Sequence, residues 1–129
     1  MNKLNKESVI GISALLVHTA KIDEIYSEHE KDLIKNFIKS YLKDEDVNKI
    51  LNKAEEIEKN SNQLLNFTNI IKQKTLEIKK DIIKHLWRVI ISDNTIDQYE
   101  SNLMRRICGL IYFPDKECAE IKLELINSK

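Results

Sequence analysis

Glycine occurs twice and proline once in 129 residues. So few backbone breakers leave little material for the tight turns of a strand-rich fold and favour long helices. A surplus of charge is missing as well: Lys+Arg and Asp+Glu both number 21, for a formal net charge of zero. Nucleic-acid binding draws its affinity from basic residues set against phosphates, and this balance argues against a general nucleic-acid binder. The basic residues are also dispersed, the longest local clusters being Lys79-Lys80 and Arg105-Arg106.

No apolar run suits a bilayer. The stretch Val9–Val17 is interrupted by Gly11 and Ser13 and falls well short of the roughly 20 residues that a spanning helix needs. No small-residue cleavage site follows it, and its continuation through Ala20 and Ile22 reads as a core helix. The expectation is a cytoplasmic protein with neither membrane anchor nor export signal. Cysteine is scarce too. Cys108 and Cys118 stand ten residues apart on apolar faces of predicted helices. They read as small buried hydrophobes in a reducing compartment, although a disulfide between the last two helices is geometrically open to them.

Chemical signatures are lacking in turn. There is no Gly-rich phosphate loop, nucleophile elbow, Cys-His pairing or HExxH string. His18, His29 and His85 are too scattered for a zinc set and read as surface or partly buried side chains. Paired carboxylates would be compatible with glycosidic chemistry, but a small bundle offers little cleft, so a non-enzymatic protein is expected.

What the chain does have is apolar residues at 42% and charged residues at 33%, a globular composition at the length of one domain spanning residues 1–129. The apolar positions recur at helical spacing. A first helix from about Glu7 to Ile22 is apolar nearly all round and should lie at the centre. A second uses Leu33, Ile34, Phe37, Ile38, Tyr41 and Leu42. Asp44 reads as the cap of a third, with Val47, Ile50, Leu51, Ala54 and Ile57 inward. Ser61 or Asn62 would cap a short fourth helix using Leu64, Leu65, Thr68 and Ile71. A fifth starts near Thr75 and a sixth at Asp97. Asp115 would cap the last, after the turn Tyr112-Phe113-Pro114. The fold class is all-α: a compact bundle of about seven helices.

An internal repeat organises these helices at an offset of 70 residues. Asp23 to Glu30 aligns with Asp93 to Glu100, Leu16 with Leu86, Leu33 with Leu103 and Phe37 with Ile107. Each half reads as apolar helix, acidic turn, apolar helix, which predicts two αα-hairpins packed with pseudo-twofold symmetry.

At these residues the chain resembles the TerB-like family of tellurite-resistance proteins, which is related to the N-terminal domain of DjlA-type membrane-anchored co-chaperones. That family carries two copies of a pattern close to Asp-Gly-x-x-(Asp/Ser)-x-x-Glu after an apolar helix. Here the second copy follows Leu86-Trp87-Arg88-Val89 and keeps Asp93, Asp97 and Glu100, while the first keeps Asp23, Ser27 and Glu30. Glu24 and Asn94 replace the usual glycine. The resemblance runs from about Ile10 to Leu125. It implies a stress-response interaction module working with protein partners at the inner membrane face. It also suggests a stand-alone relative of the co-chaperone module, without the transmembrane segment or the His-Pro-Asp tripeptide of a J domain.

The acidic turns have two readings. Ser27-x-x-Glu30 and Asp97-x-x-Glu100 have capping-box spacing, and Asp23 and Asp93 can bond turn amides. Alternatively, Asp23, Glu24, Glu30, Asp93, Asp97 and Glu100 supply oxygen ligands for a divalent cation, Ca²⁺, Mg²⁺ or Mn²⁺. Trp87 reads as core. Arg88, Arg105 and Arg106 are candidates for a basic patch beside the turns, suited to a protein partner or an anionic headgroup, against ordinary surface pairing.

Overall fold

The computed structural model describes residues 4–22, 26–61, 63–92 and 98–127. Among these, seven helices and no strand are formed: α1 (Lys6–Ala20), α2 (Glu28–Tyr41), α3 (Val47–Asn60), α4 (Leu65–Lys72), α5 (Leu76–Ile91), α6 (Gln98–Leu110) and α7 (Asp115–Asn127). Their starts keep the 70-residue register, Lys6 against Leu76 and Glu28 against Gln98. The side-chain caps Asn5 and Thr75 are spaced likewise, each accepting from the amide three residues on.

α1 is the axis of the bundle, as its all-round apolar sequence requires. Every residue from Ser8 to Ala20 except His18 is buried, and α2, α3, α4 and α5 all pack against it. Each fully buried Leu, Ile or Val contributes on the order of 1.5–3 kcal/mol, so this one helix anchors much of the core. Two of its polar groups behave differently. The Thr19 hydroxyl donates to the Leu15 carbonyl at 2.9 Å, whereas the fully buried Ser13 hydroxyl has no hydrogen-bond partner among the described residues. An unpartnered buried hydroxyl costs about 1–3 kcal/mol. Ser13→Ala is therefore expected to raise the urea midpoint, by about 1 kcal/mol of stability; a lower midpoint would overturn that assignment. Gly11 marks the close approach of α4, since a Cβ there would run into Ile70 Cδ1.

Three boundaries differ from the sequence expectation. Asp46, not Asp44, caps α3, accepting from the amides of Asn48 at 3.1 Å and Lys49 at 3.3 Å. Both aspartates have cap chemistry, but residues 43–45 are used by the turn out of α2. Neither does Ser61 cap α4. The Leu64 carbonyl opens that helix without a side-chain bond, and the Ser61 hydroxyl accepts from Asn66 Nδ2 instead; Asn62 lies outside the described residues. The inward stripe of α4 is Phe67, Thr68 and Ile71, while Leu65 is 47% exposed. Asp115 is the first helical residue of α7, where the Pro114 carbonyl accepts from the Cys118 amide.

The turn ahead of α7 is set by Tyr112, at φ 59°. The Phe113 amide donates to the Cys108 carbonyl at 2.8 Å and the Tyr112 amide to Gly109 at 3.4 Å. This left-handed residue, followed by a buried Phe113 over a buried Cys108, is the Schellman way of ending a helix, with tyrosine where glycine is usual.

Candidate functional site

The repeated acidic motif opens α2 and α6. At α2 the capping box is complete. The Glu30 amide donates to Ser27 Oγ at 3.1 Å, and Glu30 Oε1 accepts from the Ser27 amide at 2.9 Å and from its hydroxyl at 3.1 Å. The physical reason is local: the first amides of a helix lack intrahelical acceptors, and a Ser-x-x-Glu spacing supplies them. Glu30 is nonetheless only 6% exposed, and its counterpart Glu100 on α6 only 5%. Burying a carboxylate is costly unless it is engaged. Two buried glutamates at equivalent positions of the repeat therefore mark this motif as more than surface charge. Asp23, Glu24, Asp93 and Asp97 lie outside the described residues. Among the described residues no group of three or more His, Cys, Asp or Glu is placed to hold a metal ion.

The arginines are all exposed and, among the described residues, none enters an ion pair. They do not share one cleft. Arg88 lines a cavity of about 210 Å³ with His29, Leu33, Ile91, Ser92 and Leu125, so it reaches the start of α2 and the end of α7. Arg105 lines a larger cleft beside Trp87, Met104, Cys118 and Lys122. Arg106 faces a third, with His18, Leu64 and Leu103. Neighbours in sequence on a helix point about 100° apart, which separates Arg105 from Arg106.

Other polar constellations join residues far apart in sequence. Glu58 accepts from Lys21 Nζ at 2.8 Å and lies 3.3 Å from His18 Nδ1, tying the end of α1 to α3. The Tyr26 hydroxyl donates to Glu55 at 2.7 Å, with Lys31 Nζ 5.0 Å from its ring centroid; burial first, then that bond, pushes the phenol pKa up. At the other end of α2, the Tyr41 hydroxyl donates to Asp81 at 2.7 Å, and its pKa is raised by burial and then by Asp81. His85 Nε2 stands 3.6 Å from the same carboxylate and packs edge-on to Phe37 at 5.0 Å. Contrary to the sequence expectation, His85 is buried, and burial holds its pKa down at about 4 against the attraction of Asp81. No spacing rule reveals the pairing of Tyr41 with Asp81, 40 residues apart.

Trp87 is core, as expected: it is 4% exposed and its indole N–H donates to the Cys118 carbonyl at 3.1 Å. No helix of the described residues is long and apolar enough to cross a membrane. A family model described as "Tellurite resistance protein TerB" matches residues 10–123. No curated protein and no solved structure matches the chain.

Proposed function

The chain belongs to the TerB family of tellurite-resistance proteins, and we propose that it works there as a non-catalytic interaction module. In this reading it docks protein partners at the inner membrane face and takes part in the response to tellurite or related stress. The observation that carries the reading is the set of three exposed arginines without ion pairs among the described residues, each lining a different cleft of the bundle. An exposed cation with no ion pair among the described residues, on a protein with no net charge, suits an acidic partner surface, where it would steer association. The test is complementation. In a strain made tellurite-sensitive by loss of this gene, Arg88→Glu/Arg105→Glu/Arg106→Glu should fail to restore tolerance while unfolding at the wild-type temperature. Full tolerance from that variant would remove the arginines from the function.

A second reading has its own observation, the paired burial of Glu30 and Glu100. These two, with Asp23, Asp93 and Asp97, would hold a divalent cation, Ca²⁺, Mg²⁺ or Mn²⁺, because a cluster of hard carboxylate oxygens suits such ions over zinc. The bound ion would neutralise the gathered carboxylates. Thermal unfolding in EDTA and then in each cation distinguishes this from capping. At about 100 times the dissociation constant a site adds about 2.7 kcal/mol. The rise should vanish in Glu30→Gln/Glu100→Gln, since glutamine keeps the capping box but not the charge. Equal unfolding temperatures in EDTA and in every cation would leave the glutamates as caps alone.

A further inference from the structure

The turn at Tyr112 brings α7 back against α6, and residues of α5, α6 and α7 together line an open cleft of about 600 Å³. Its floor is apolar. Trp87, Met104 and Cys118, a free thiol, line it from buried positions, and the exposed Ala119 adds to the same wall. The indole N–H is taken by the Cys118 carbonyl at 3.1 Å, so the tryptophan brings no unmet polar atom to the cleft. Over its ring stands the Lys122 ammonium, 5.5 Å from the centroid.

The charged groups of the cleft are mostly cationic. Arg105 is exposed and Lys122 half-buried, and among the described residues neither enters an ion pair. Against these two cations the cleft carries one carboxylate, Asp115. A cation over an aromatic face that water reaches is weakly held, and an arriving carboxylate competes for it. An apolar floor edged by a few charged groups suits a peptide side chain and its neighbours. Asp115 repels a continuous run of phosphates, and zero net charge supplies no wider basic field for nucleic acid or an anionic membrane.

We propose that this cleft docks an acidic segment of a protein partner, in which carboxylates flank a leucine or phenylalanine. The carboxylates pair with Arg105 and Lys122, while the apolar side chain settles against Trp87, Met104 and Ala119. Lys122 then leaves the indole ring, and the apolar side chain covers the ring in its place. Asp115 works against the docking, because it repels the same carboxylates. The proposal rests on reading this chain as an interaction module, and it narrows that reading to one of the three arginine clefts.

The test uses the intact chain and the fluorescence of its single tryptophan. The probe is a pool of capped peptides in which leucine or phenylalanine is flanked by aspartate or glutamate at varied spacing. This pool should change Trp87 emission saturably, and a pool with asparagine and glutamine in place of the acids should lose most of that change. Arg105→Gln and Lys122→Met should each weaken binding about threefold to fivefold, the upper range for one exposed ion pair. Methionine keeps a long apolar stem over the indole and removes only the charge. Asp115→Asn, checked for helical content, should tighten binding by a similar factor. Lys53→Gln removes a cation from an exposed position of α3, outside the cleft, and should leave binding as it is. Equal binding of the acidic and amide pools would overturn the proposal, as would equal binding by wild type and the Arg105 and Lys122 variants. A response to phosphatidylglycerol vesicles with none to peptides would also overturn it and give the cleft to a lipid surface. If the acidic pool fails while the triple-arginine variant still loses tolerance, the interaction module stands and this cleft is not its docking site. If the pool binds while that variant keeps full tolerance, the cleft docks acidic segments in a role apart from tellurite.

Discussion

Phe37→Ala is expected to destabilise the protein by about 3–5 kcal/mol, the range for deleting a fully buried phenylalanine. Phe37 has no exposed surface. It is wedged between α2 and α5, with its ring 5.2 Å from that of Tyr41 and 5.0 Å from that of His85. Truncation removes the transfer energy of the ring and leaves a cavity that helices held on several sides cannot close. A domain of this size has about 5–15 kcal/mol in all, so the loss should be plain in urea unfolding, as a lower midpoint at unchanged slope. Phe37→Leu, which keeps more of the volume, should cost less. A Phe37→Ala loss under about 1 kcal/mol would mean that α2 and α5 collapse onto the gap and that the ring is not an anchor.

The same pocket sets the acid sensitivity. His85 is held neutral by burial, with a folded pKa of about 4 against its ordinary 6.5. Between these values the unfolded chain takes up a proton that the folded chain refuses, so the folded state loses ground as pH falls. The contribution is whole above pH 6.5 and is lost progressively towards pH 4. At one pKa unit per about 1.4 kcal/mol, the loss reaches about 3 kcal/mol. Chemical denaturation from pH 7 to pH 4 on wild type and His85→Gln measures it. The difference between the two curves should grow across that window, with wild type the steeper. Parallel curves would show that His85 is protonated in the folded protein as readily as in the unfolded one. Phe37→Ala should move the His85 pKa back towards 6.5, because it admits water to the pocket whose dryness lowers it.

The helices were readable because their information is local. Apolar recurrence at a 3.6-residue period, the Ser27 capping box, the Thr75 cap and the 70-residue spacing of helix starts all lie within a few residues of what they determine. The centrality of α1 followed from its lack of a polar face. Local reading failed where two nearby residues shared one chemistry, as with Asp44 and Asp46 before α3. It failed again where a stripe could be phased two ways, as with Leu65 and Phe67 on α4. In those cases the turn geometry and the packing partner choose, not the propensity.

The candidate sites divide along the same line. The acidic motif was visible as spacing, but the burial of Glu30 and Glu100 depends on which helices close over them. Arg105 and Arg106 are neighbours in sequence, yet packing turns them, and Arg88, into three different clefts. Tyr41 with Asp81 and Tyr26 with Glu55 are joined only by the way the helices cross. The sequence by itself determined the helices, the Ser27 capping box and the family, because backbone hydrogen bonds and amphipathic faces are decided over three or four residues. Tertiary structure alone decided which distant side chains meet, because a helix carries its side chains on a rigid cylinder whose angle and rotation are fixed by what packs against it.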